Sequence, residues 1–104
     1  MKDIRIDIGV CTILNIDLTN IDFTGIKEII FTIKNEPKVD APVIIERVFT
    51  EAKAHSVMIT AEESLQLRGG AEYDFNKILE DGTRVKMTDN GKITFRKCVG
   101  DCFD

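Results

Sequence analysis

Tryptophan is absent, histidine and tyrosine occur once each, and only two prolines interrupt the 104 residues. A lone histidine rules out any multi-histidine metal cluster. Nowhere does the chain hold the roughly 18 consecutive apolar residues that a membrane helix requires. Excess positive charge is missing too: 14 Lys and Arg stand against 18 Asp and Glu, a net charge of −4. The cations are scattered singly, whereas a phosphate backbone is gripped by clustered ones. Neither nucleic acid nor a membrane is therefore an expected partner. The opening "MKDIRIDIGV" sets a charge or polar group among its apolar residues at nearly every second position, so it is no recognisable signal peptide. Synthesis in a bacterial cytoplasm is the expectation, and the three cysteines read as reduced thiols.

What is present is an ordinary globular composition, 43% hydrophobic and 31% charged. A chain this short makes one domain, expected over residues 1–98 and followed by an acidic tail at 99–104. Its dominant signal has period two. Ile4, Ile6, Ile8, Val10, Leu14, Ile16 and Leu18 share one parity, while Asp3, Arg5, Asp7, Asn15 and Asp17 share the other. Alternation of this kind marks strands with one face on a core and one in water. Fifteen residues exceed a usual strand, so a bend or crossing between sheets is expected near Gly9.

Later segments repeat the theme. In "IKEIIFTIK" the β-branched residues argue for a strand, with Ile29, Phe31 and Ile33 on one face. "VIIERVF" alternates imperfectly, as an edge strand or one gripped on both faces would. "HSVMIT" is a short strand, and Thr60 with Glu63 makes a capping box. The helix so started is expected to carry Leu65 and Leu67 and to stop at Gly69-Gly70. Two hairpins should close the chain, one through Asp81-Gly82 and one through a type I′ turn at Asn90-Gly91. Seven or eight short strands with one helical turn predict an all-β, antiparallel sandwich.

Few residues offer chemistry. Cys98 and Cys102 have tolerable spacing for half a zinc site, but only Cys11 and His55 remain to complete it. His55 and Ser56 are adjacent on a strand and point to opposite faces, the wrong geometry for a base and its nucleophile. Glu62 and Glu63 suit the first turn of a helix, and Asp81 and Asp89 suit turns. No catalytic residue and no cofactor is expected. Ile30, Ile44 and Val48 instead stand off the main apolar face. Neighbouring on an edge strand, they would form a surface for assembly through sheet edges.

The order of these motifs resembles the small immunoglobulin-like β-sandwich domain of bacteriophage baseplate and tail proteins, particularly the N-terminal domain of upper baseplate proteins. There an Asp-Leu-Thr-Gly turn precedes the first core strand, and Asp22-Phe23-Thr24-Gly25 stands in that place. Tyr73, Asp81-Gly82 and Gly91 match a tyrosine-bearing strand, an Asp-Gly turn and a glycine heading the last strand. Gly9-Val10-Cys11-Thr12 differs from the Gly-Asp-Thr that is more usual. The resemblance implies a noncatalytic structural or adaptor domain of phage or prophage origin. Its partners would be other virion proteins or further copies of itself, and its final place the virion. Two other readings stay open at this point: a bacterial immunoglobulin-like interaction or adhesion module, and a small metal-binding protein or enzyme using Cys98 and Cys102.

Overall fold

The computed structural model describes residues 3–87 and 91–96, the last two by backbone alone. Eight strands and one four-residue helix follow in the order β1 (Ile4–Asp7), β2 (Thr12–Asp17), β3 (Ile26–Lys34), β4 (Val43–Phe49), β5 (Ala54–Ile59), α1 (Ala61–Ser64), β6 (Glu72–Leu79), β7 (Arg84–Lys86) and β8 (Gly91–Arg96). The protein is all-β. Its larger sheet runs β1-β8-β6-β3-β4, with β7 also paired to β6, and a two-stranded sheet joins β2 to β5. Among the described residues, no helix is long and apolar enough to cross a membrane.

Period two holds through the first segment, and its bend is a change of sheet. β1 belongs to the large sheet and β2 to the small one. The crossing lies at Gly9, whose φ of 88° an L side chain rarely adopts. The Asp7 amide donates to Thr12 Oγ1 across the turn, and the Gly9 amide donates to Ser64 Oγ, both at 3.0 Å. Thr12, the polar intruder on the apolar parity, thus ties the turn together. Between the sheets lie Ile29, Phe31 and Ile33 of β3, Ile45 and Phe49 of β4, Ile16 of β2, and Val57 and Ile59 of β5. The Phe31 ring sits 5.1 Å from Phe75 and 5.7 Å from Tyr73.

Several expectations need correction. The sheets are not purely antiparallel, because β1 runs parallel to β8. Among the described residues, β7 and β8 do not pair with each other; both pair with β6. β6 gives one edge to β3, and on the other β8 pairs at Glu72 and Tyr73 while β7 pairs at Asn76 to Ile78. Gly91 opens β8 without a positive φ. What requires glycine there is proximity: a Cβ built on it would collide with the Tyr73 ring. Asn90 and the tail from Lys97 onward lie outside the described residues. The helix stops at Ser64, short of Leu65 and Leu67, since Gln66 and Leu67 donate to the carbonyls three residues back and tighten the chain into turns. Its capping box is complete.

Candidate functional site

Among the described residues, those singled out for chemistry do not converge. Cys11 is exposed beside the crossing, and His55 lies toward the far end of the β2–β5 ladder, where it pairs with Ile16. The His55 ring stacks 4.6 Å from Phe49, and its Nε2 lies 3.0 Å from the Glu51 carbonyl. Ser56 faces the other way and donates to Asn15 Oδ1. Cys98 and Cys102 lie outside the described residues. Among those described, no group of three His, Cys, Asp or Glu is placed to hold a metal ion.

Four carboxylates serve turns and a cap. Asp17, Asp22 and Asp81 each accept from the amide of a threonine two residues on, at 2.9 Å. The hydroxyl of Thr19, and chiefly the amides of Thr24 and Thr83, hold these three carboxyls below their usual range. Glu63 differs, because it also binds Arg47 of the large sheet. Its carboxylate takes a two-pronged contact from Arg47 Nη2 at 2.8 and 3.0 Å, and accepts the Thr60 amide at 3.0 Å. Burial pushes its pKa up, but the Thr60 amide, the Arg47 hydrogen bond and the Arg47 charge together hold it below the ordinary value.

The face of the large sheet turned away from β2 and β5 is the strongest candidate site. Cross-strand register sets its side chains in rows. Glu46, Thr32 and Asp74 stand abreast on β4, β3 and β6. Beside them run Val48, Ile30 and Asn76, with Lys86 next on β7. Ile30 and Val48 are therefore direct neighbours, one buried at 7% exposure and the other open at 48%. Ile44 is not with them. A register shift after Ile33 pairs Lys34 with Val43 and skips Ile44, which packs against the core instead.

This face carries an open groove of about 530 Å³, lined by Thr32, Lys34, Glu46, Asp74, Asn76 and Arg84 among others. Thr32 and Asn76 are buried in its floor, at 5% and 7% exposure. Among the described residues, the Thr32 hydroxyl has no hydrogen-bond partner. Lys34, which could have neutralised the acids, sends its ammonium to the carbonyls of Lys38 and Val39 at 3.2 and 3.1 Å. Lys38 itself pairs with Glu36 at 3.5 Å. Among the described residues, Glu46 and Asp74 form no ion pair. Reading the sequence missed Thr32, Asp74 and Asn76. Polar residues on a strand's wet parity look ordinary, and only the register shows that they meet.

Comparison with protein-family models, with curated proteins and with solved structures found no match.

Proposed function

We propose that the chain is a noncatalytic immunoglobulin-like adaptor domain of a phage or prophage particle, joining other structural proteins through the outer face and edges of its large sheet. The strand order carries this reading. In an immunoglobulin-like sandwich, strands B and E lie in one sheet while C, F and G lie in the other, with C′ beyond C. β2 and β5 suit the places of B and E; β3, β4, β6 and β8 suit C, C′, F and G. A first strand running parallel to the last supports the same assignment, as does buried Tyr73 at the start of β6.

Local geometry adds support to the phage resemblance. Asp22-Phe23-Thr24-Gly25 forms a tight turn before β3: Asp22 accepts the Thr24 amide, Ile26 donates to Phe23, and Gly25 has a φ of 77°. Asp17, Asp22, Asp81 and Glu63 are engaged in turns and a cap, and Glu46 and Asp74 face an open groove, which suits a module that binds a partner. Sedimentation velocity and native mass spectrometry test the reading, on the chain alone and with the proteins encoded beside it. The expected result is a discrete ring or trimer, or a stable complex. A monomer that binds none of them would refute it.

A further inference from the structure

We propose that the groove on the outer face of the large sheet receives an arginine guanidinium from a protein partner, seated between Glu46 and Asp74 over the Thr32 hydroxyl. The carrier being a protein rests on the adaptor reading; the guanidinium chemistry rests on the groove itself. Three observations converge. Two carboxylates flank one hydroxyl in a single cross-strand row. Neither is ion-paired among the described residues, and Lys34, on the strand between them, is drawn off to loop carbonyls. The hydroxyl between them is buried without a partner among the described residues, which is costly unless something binds there.

The geometry selects guanidinium over ammonium. Glu46 and Asp74 sit two strand spacings apart, about 10 Å between their Cα atoms. An ammonium is a compact point charge and would reach one carboxylate at a time. A guanidinium is a planar fork with five N–H donors, so opposite edges can meet the two acids while a further N–H reaches the threonine oxygen. Asn76 and Lys86 continue the next row and bound the groove on that side. Arg84 and Lys86 also disfavour an extended cationic stretch, so a single arginine on a near-neutral segment fits best.

The test is an amide-resolved NMR titration of the whole chain with N-acetyl-arginine amide, against N-acetyl-lysine amide and free arginine. Saturable shifts are expected at Thr32, Glu46, Asp74 and Asn76, with the lysine compound weaker by about fivefold or more. E46Q and D74N should each weaken the arginine compound by a similar factor. T32V should weaken it as well, yet raise the thermal midpoint of the free protein, because an unpartnered hydroxyl disappears. A purely structural Thr32 would give the second effect without the first, and so overturn its role. Shifts that never saturate, an equal response to lysine, or shifts confined to the Asp17, Asp22 and Asp81 turns would also overturn the proposal. Tighter binding of free arginine than of the blocked form would assign the groove to an amino acid and refute the protein source. If these shifts appear in a monomer without protein partners, the adaptor reading fails and the guanidinium site stands; a complex without the shifts gives the reverse.

Discussion

Arg47 and Glu63 join the large sheet to the helix that follows β5, and the strength of that joint can be worked out. Their side chains are 30% and 24% exposed, between the fully wet and fully dry limits. Exposed pairs contribute about 0–1 kcal/mol, while breaking a buried pair costs about 3–5 kcal/mol. Arg47→Met keeps the apolar stem and removes the guanidinium, which also donates to the Met58 carbonyl at 3.1 Å and the Glu46 carbonyl at 2.9 Å. A loss of about 2 kcal/mol is expected. With a slope of ~1.3 kcal/mol per molar urea for a domain of this size, the midpoint falls by about 1.5 M. In a double-mutant cycle with Glu63→Gln, the coupling should be about 1 kcal/mol.

The pH dependence gives an independent check. Glu63 is held below its ordinary value of 4.5 in the folded state. Its contribution to stability is therefore complete above that value and is lost as pH falls through the lowered one. Arg47→Met removes part of the depression and leaves the Thr60 part. The stability gap between wild type and Arg47→Met must then narrow between pH 7 and pH 3. Urea denaturation at both pH values decides the matter. Coupling near zero at pH 7, or a gap unchanged at pH 3, refutes the joint.

Other perturbations probe separate contacts. Gly91→Ala sets a methyl group against the buried Tyr73 ring, 2.6 Å from its hydroxyl oxygen; overpacking of this kind costs about 1–3 kcal/mol, and a thermal midpoint within a degree of wild type would refute the contact. Ser64→Ala deprives the Gly9 amide of its acceptor inside a fully buried site, so about 1–2 kcal/mol is lost and Gly9 exchanges its amide hydrogen faster. Unchanged Gly9 exchange would contradict that bond. Thr60→Ala removes one half of the capping box and should cost about 1 kcal/mol in urea denaturation, and a smaller loss would mean the cap matters little.

Local features were legible in the sequence because local physics sets them. Alternation from Ile4 to Leu18 follows from the pleat of a strand, and the sheet change at Gly9 follows from strand length. The Thr60–Glu63 cap lies within one helical turn, so four residues suffice to announce it. Pairing between distant segments was not legible. Nothing in residues 4–7 says that they will run parallel to residues 93–96, since that choice is made by packing around the intervening core. One skipped residue had similar reach: the shift at Ile44 breaks the expected trio, leaving Ile30 beside Val48 and carrying Ile44 away. Arg47 had a faint signal, because it shares parity with Ile45 and Phe49. A charged residue on a buried parity requires a counter-ion, and Glu63 had already been assigned to the cap.

A two-stranded sheet is at best marginal on its own in water. β2 and β5 persist because the large sheet holds them, by apolar packing and by polar ties at distinct points. Ser64, just after β5, accepts the amide of Gly9, where the chain leaves the large sheet. Arg47 reaches from β4 to the Met58 carbonyl of β5 and to Glu63 of the helix. Both ties hold the segment from β5 to α1, one to β4 and one to the turn where the chain changes sheet. Glu46 is adjacent to Arg47 in sequence, yet it points outward and forms no ion pair among the described residues. Along β4, then, parity separates two tasks: the inward arginine fastens β5 and the helix to the large sheet, and the outward glutamate faces the groove proposed to take a guanidinium.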